Sequence, residues 1–287
     1  MLNAKGDEKM PNLIVRPDKG ASGELPLLSV TPESAGWSYV GFDVYRLKPG
    51  EKIERSTEDR EYCLVILEGK AHVSTAETRW EAVGERMSVF ERIPPYAVYV
   101  PGGNRYEIEA VTELELAVCH APDRNGGHPA RLIGPEDMDS EVRGEGVTQR
   151  YIHHILPEQK PADSLLVVEV FTPPGHWSSY PPHKHDQDAL PDEAFLEETY
   201  YYRVNPPQGF AVQRVYTDDG SLDSTLAIKD GETVLVPKGY HPVSAPPGYD
   251  VYYLNVMAGP VRTWKIRNDP DHAWTLEPAG MRKTQPD

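Results

Sequence analysis

The segment PPHKH at 181–185 sets His183 and His185 two residues apart. Side chains alternate between faces along an extended strand, so both imidazoles fall on one side of it. Glu197 and Glu198 follow at the head of EETYYYRV, and DGETVLVPKGYHPV (230–243) brings His241 just after a Pro-x-Gly turn. Three neutral imidazoles and one carboxylate make a donor set for one divalent ion, Zn²⁺ or Mn²⁺ foremost and Fe²⁺, Co²⁺ or Ni²⁺ as alternatives, with positions left for water or substrate. The chain has ten histidines, and the joint spacing singles out these three. His153 and His154 are adjacent, point to opposite faces of any strand, and read as structural.

The elements that must position these groups are strands. The 28 prolines and 23 glycines punctuate short runs rich in Val, Tyr, Leu and Thr, and helical periodicity is almost absent. GFDVYRL (41–47), REYCLVIL (60–67), YAVYVP (96–101), LELAVC (114–119), LLVVEVF (165–171), ETYYYRV (198–204), TVLVP (233–237) and DVYYLNV (250–256) all read as strands. Several pieces recur in order: GFDVYRLKPGE with VVEVFTPPGHW, REYCLVILEGKAHV with EETYYYRVNPPQGFAV, and 97–122 with 233–260. The fold predicted is all-β, two tandem barrels built from a duplication. The first spans 1–122 and the second 165–287, joined by a linker over 123–164 with one short strand at 151–156.

Composition narrows the partners. A formal charge of −16 with no Lys/Arg cluster argues against nucleic acid. No run of eighteen apolar residues and no signal-like segment occurs, so a cytoplasmic protein without a membrane partner is expected. Cys63 and Cys119 each sit in an apolar run and read as buried free thiols.

His-x-His, a Glu on the next strand, then Gly231-x5-Pro237-x-Gly239-x-His241 resemble the two metal-binding motifs of the cupin superfamily. TPESAGWSYVGFDVYRL, ADSLLVVEVFTP, WSSYPPHKHD, LEETYYYRVNPPQGFAVQRVYTDD, PKGYHPVSAPPGYDVYYLNVMAGP and NDPDHAW extend the resemblance over nearly the whole chain. Together they are similar to the 5-deoxy-glucuronate isomerases of inositol catabolism, relatives of the 4-deoxy-threo-hexosulose-uronate ketol-isomerases. The resemblance implies a bicupin and an aldose–ketose isomerase that turns 5-deoxy-glucuronate into 5-dehydro-2-deoxy-gluconate at one divalent metal per chain. It also favours Glu198 over Glu197 as the fourth ligand, since Glu198 heads a Glu-x-Tyr block, and period two then turns Tyr200 and Tyr202 inward beside it. The acidic insertion between His185 and Glu198 and the single residue between Gly239 and His241 depart from the usual cupin spacing.

The proton-shuttling base is left open among Tyr200, Tyr202, a carboxylate near the metal and Lys238. Arg203, Arg214 and Lys238 are the candidate cations for a sugar-acid carboxylate. The first barrel lacks His-x-His and is expected to bind no metal, and Glu61 at its strand start reads as solvated. The run Asp186, Asp188, Asp192, Glu193 reads as a solvated loop. Exposed strand edges call for a homo-oligomer. Two rivals use the same site differently: a dioxygenase consuming O₂, and a sugar-acid-binding cupin without turnover.

Overall fold

The computed structural model describes residues 12–276. Each predicted run forms a strand within a few residues of its expected ends, for example Gly41–Leu47, Arg60–Glu68, Leu114–Pro122, Leu166–Thr172, Glu197–Asn205 and Asp250–Ala258. The protein is all-β, a bicupin in which each unit packs a large sheet against a four-stranded one.

The first large sheet has six strands in the order Arg131–Ile133, Ala97–Val100, Arg60–Glu68, Leu114–Pro122, Gly41–Leu47, Leu28–Val30. Its small partner runs Lys52–Ser56, Arg105–Ala110, Ala71–Thr75, Arg79–Val83. The second large sheet has seven, in the order Ile14–Val15, Thr233–Val236, Glu197–Asn205, Asp250–Ala258, Leu166–Thr172, Arg150–Leu156, Asp139–Arg143. It covers Trp177–Ser178, Val243–Ser244, Phe210–Tyr216 and Asp223–Lys229.

Three apolar cores result. Tyr45, Leu64 and Ile108 fill the first barrel, and Ile152, Tyr200, Tyr202 and Val215 fill the second. The third core lies between the large sheets, where Phe42, Val65 and Cys119 meet Phe171, Tyr201 and Leu254. A sheet buried on both faces needs no polar alternation, and Leu166–Thr172 accordingly has all seven residues buried. Cys63 and Cys119 are free, buried and opposite each other across two strands of this core, and burial pushes the Cys63 thiol up to about 12.

The segment read as a linker departs from expectation. Residues 123–164 supply three strands: Arg131–Ile133 extends the first large sheet, while Asp139–Arg143 and Arg150–Leu156 extend the second. Ile14–Val15 crosses over to pair with Thr233–Val234 of the second sheet. Such edge additions are set by long-range pairing, and short Gly- and charge-rich pieces carry little local strand signal.

The two units clip each other through a pair of buried carboxylates. Glu197 accepts from the backbone N–H groups of Ser38, Tyr39 and Val40 at 2.7, 2.8 and 2.9 Å. Glu61 does the same from the other side, accepting from Asp163, Ser164 and Leu165 N–H at 2.7, 2.6 and 2.6 Å and from the Tyr99 hydroxyl at 2.6 Å. Glu61 is thus fully buried rather than solvated, because each of its lone pairs meets a donor that would otherwise be orphaned at the start of a strand.

Candidate metal centre

The strand Glu197–Asn205 alternates strictly. Glu198, Tyr200 and Tyr202 face the second barrel's interior, whereas Thr199, Tyr201 and Arg203 face the other large sheet. Glu197 faces away with the latter set, which leaves Glu198 as the carboxylate of the interior. His185 Nε2 lies 2.9 Å from Glu198 Oε2, and His241 Nε2 lies 3.2 Å from the same oxygen. Ligand atoms of His185, Glu198 and His241 all fall within 4.8 Å of one another, and all three residues are buried. His183 lies outside that tight triplet but beside it, its ring centroid 5.0 Å from that of His241.

Backbone carbonyls orient the rings. His185 Nδ1 donates to the Leu196 carbonyl at 3.0 Å, and His241 Nδ1 donates to the Gly239 carbonyl at 2.8 Å, so both Nε2 atoms turn inward. Gly239 is required here, since it sits at φ +89° and a Cβ would come within 2.3 Å of the Tyr216 carbonyl. Asp186 Oδ2 accepts from Gly239 N–H at 2.8 Å and so ties the acidic insertion to the turn that carries His241.

The electrostatics suit a cation. Burial alone would raise the Glu198 carboxyl, but the hydrogen bond from His185 and the neighbouring His241 imidazole outweigh it and hold it at about 2. Burial opposes protonation of His185, and the Glu198 hydrogen bond outweighs it and raises the imidazole above its ordinary value. His183 is driven down to about 3, first by burial and then by its two histidine neighbours, and so stays a neutral donor. His241 Nε2 is buried and makes no hydrogen bond, although it lies 3.2 Å from Glu198 Oε2. An orphaned imidazole nitrogen, a carboxylate shared between two rings and a neutral third ring fit a divalent metal.

The other sequence-derived candidates divide between the barrel interior and its outside. The Tyr200 hydroxyl lies 3.1 Å from Ser179 Oγ, with its ring 5.7 Å from His241, in the interior as expected. Tyr202 is also interior, but its hydroxyl donates to Gln213 Oε1 at 3.0 Å and Gln213 Nε2 reaches the His241 carbonyl, so it braces the ligand turn. Arg203 points the opposite way, into ion pairs with Glu115 at 2.7 Å and Asp230 at 2.9 Å between the sheets. Arg214 is held by Asp223 at 2.8 Å on the outer face of the small sheet, and Lys238 is exposed with its Nζ on Ser221 Oγ. Neither reaches the barrel interior, because strand parity and turn direction aim both outward.

His153 bonds to Glu169 at 2.7 Å and His154 lies 3.2 Å from Glu141, both outside the centre. In the acidic insertion Asp188 and Asp192 are exposed, but Glu193 is buried and accepts from Asp186 and Gln187 N–H at 2.7 and 3.0 Å. Asp186 and Glu193 therefore pin a hairpin instead of hanging in solvent. Ser179, Gln213 and Asn255 were not singled out from sequence, since an isolated Ser, Gln or Asn carries no spacing signal.

Residues 13–275 match the KduI/IolB family. The chain belongs to that family. A protein of Geobacillus kaustophilus named 5-deoxy-glucuronate isomerase is 62% identical over 268 residues, 93% of this chain and 96% of its own length. The protein of that name from Bacillus subtilis strain 168 is 49% identical over 249 residues, 86% of this chain and 92% of its own. The crystal structure of an IolB-like protein from Salmonella typhimurium superposes with a TM-score of 0.89 at 52% identity, covering 92% of this chain and 99% of that one. An oxalate decarboxylase of Lactobacillus farciminis, at TM-score 0.63 and 15% identity over 96% of this chain and 93% of its own, shares the fold. Within the KduI/IolB fold, the His/Glu cluster of the second barrel is the one group of metal-ligand geometry among the described residues.

Proposed function

We propose that this chain is a metal-dependent isomerase that converts 5-deoxy-glucuronate into 5-dehydro-2-deoxy-gluconate in inositol catabolism. It is an enzyme, an aldose–ketose isomerase. The observation that carries the metal requirement is the convergence of His185, Glu198 and His241 Nε2, with His183 alongside, inside one barrel. Moving the carbonyl from C1 to C2 needs a proton taken from C2, one returned to C1, and negative charge tolerated on two neighbouring oxygens meanwhile. A bound divalent ion supplies Lewis-acid stabilisation of that charge, worth several kcal/mol.

The chain's residues supply orientation and proton handling. Glu198, His185 and His241 would hold the ion, with His183 as the fourth ligand alongside. Tyr200 is buried, and burial first and Glu198 second raise its phenol well above the ordinary value. Its hydroxyl therefore stays protonated at neutral pH and serves as a hydrogen-bond donor to a substrate oxygen rather than as a base. Tyr202 acts through Gln213 on the His241 carbonyl. Zn²⁺ and Mn²⁺ are the ions to test first. A cytoplasmic, homo-oligomeric enzyme goes with this reading, and among the described residues no helix is long and apolar enough to cross a membrane.

Incubation of metal-loaded protein with 5-deoxy-glucuronate, followed by NMR, will show the aldehyde proton disappear as a ketone forms, without oxygen uptake. A flat trace with stoichiometric metal present rejects the isomerase, and O₂ consumption assigns the site to a dioxygenase instead.

A further inference from the structure

Arg150 heads the strand Arg150–Leu156 and is 7% exposed. It shares a face with Ile152, which packs in the second barrel's interior core. Its one hydrogen bond among the described residues runs from Nη1 to the Thr148 carbonyl at 3.0 Å, and no carboxylate there lies within ion-pair distance. Arg86, the other arginine that is this buried, is neutralised by a bidentate pair with Glu169 at 2.9 Å, and the half-buried Arg262, which has no carboxylate partner, is met instead by the carbonyls of Leu165, Glu158, Lys160 and Pro157. Shortage of acids is no explanation, since the chain carries 45 Asp and Glu against 29 Lys and Arg. A guanidinium keeps its proton even when buried, so a buried one without a counter-ion is expensive unless an anion completes it.

A second, independent group points to the same lumen. Asn255 is 4% exposed, and its Nδ2 has no partner. It sits opposite Tyr200 on one neighbouring strand and Val168 on the other, both interior residues. Two residues along the same strand, the Tyr253 hydroxyl lies 3.4 Å from Ser179 Oγ, which in turn lies 3.1 Å from the Tyr200 hydroxyl. Polar groups therefore run from Tyr200, beside His241, through Ser179 to Tyr253, whose cross-strand partner Val170 pairs in turn with Ile152, two residues along the strand from Arg150.

We propose that Arg150 receives the carboxylate of the sugar-acid substrate, with the Asn255 amide as a further donor to the chain of hydroxyls between carboxylate and metal. The assignment rests on the isomerase reading above and deepens it. A six-carbon acid has its reacting aldehyde at one end and its carboxylate at the other, so it needs an anion site remote from the metal and facing the same cavity. The planar guanidinium fork, with Nε and Nη2 free, matches a carboxylate. Strand parity assigns this role to a residue in the segment read as linker, and withholds it from Arg203 and Arg214.

Arg150→Gln, Arg150→Lys and Asn255→Ala will be compared with the parent enzyme for metal content, melting temperature, KM and kcat. Calorimetric binding of 5-deoxy-glucuronate will be measured alongside. For Arg150→Gln, KM and Kd are expected to rise about 10-fold to 100-fold, the loss of a charge-assisted hydrogen-bond pair, with metal retained. Arg150→Lys should recover part of it, and Asn255→Ala should raise KM by about 5-fold. The parent should prefer 5-deoxy-glucuronate over 5-deoxy-glucose, which has a hydroxymethyl in place of the carboxylate, and Arg150→Gln should erase that preference. Unchanged KM, Kd and preference in a folded, metal-loaded Arg150→Gln protein overturns the proposal. A parent that binds the acid but does not isomerise it sinks the isomerase reading alone, and loss of that binding in Arg150→Gln then still supports the anion site.

Discussion

The two barrels share a frame and differ in what fills it. Glu61 pairs in register with Ala121, and Glu197 with Ala258, on equivalent nine-residue strands. Both carboxylates cap the backbone of the opposite unit. The position after each is where the barrels part: Glu198 in the second, Tyr62 in the first. Tyr62 stacks on His120 at 5.0 Å and tilts against Tyr106 at 5.4 Å. The same lumen position thus carries an anion between imidazoles in one copy and an aromatic stack in the other. Duplication preserved the residues that join the units, and the residues that face each interior diverged.

Exchanging these positions should break the comparison most sharply. Glu198→Gln or His241→Ala should lower bound metal and reduce kcat/KM by about 10²-fold to 10³-fold or more, since charge stabilisation at the reacting oxygens is lost. Metal analysis by mass spectrometry alongside turnover decides it, and full metal with full activity in both would remove the site from the chemistry. The reciprocal Tyr62→Glu should gain no stoichiometric metal, having no His-x-His beside it. It should lose about 2–3 kcal/mol of stability through the broken stack and a half-buried unpaired carboxylate.

Acid should separate the barrels next. His120 is depressed from 6.5 to about 3, by burial first and by Arg60 second. The unfolded chain takes up this proton below about 6.5 while the folded chain resists until about 3, so its contribution is complete above 6.5 and is lost as pH falls through that window. The expected slope is at most about 1.4 kcal/mol per pH unit. Denaturant titrations of His120→Phe against parent should show a shallower decline, and identical slopes would clear His120. The clip should behave alike on both sides: Glu61→Gln and Glu197→Gln should each cost about 1–3 kcal/mol. Equal shifts in melting temperature are expected, with metal content retained in Glu61→Gln. Smallest of all, Lys238→Ala should change KM by less than about 2-fold, since an exposed amine on Ser221 contributes little.

The strands and the candidate His/Glu cluster were legible in the sequence because they rest on local rules. Apolar runs between Pro and Gly predicted Gly41–Leu47 and Asp250–Ala258 nearly to the residue, and period two grouped His183 with His185 and Glu198 with Tyr200. Glu61 was misread because a carboxylate at a strand head is usually wet, and only the approach of residues 163–165 from the other unit buries it. Arg203 and Arg214 were misplaced because proximity in sequence to a ligand strand says nothing of which face a long side chain takes or which acid awaits it.

The sequence by itself determined that this chain is an all-β bicupin and singled out one set of candidate metal ligands, since alternation, turn residues and donor chemistry are properties of short segments. Only the tertiary structure decided that both faces of each large sheet are buried, that residues 123–164 complete the sheets, and that Arg150 is buried without a carboxylate partner and Asn255 with a free amide nitrogen. Those outcomes depend on which distant strands pair and how two sheets pack. They are set by burial summed over the whole molecule, which no local window contains.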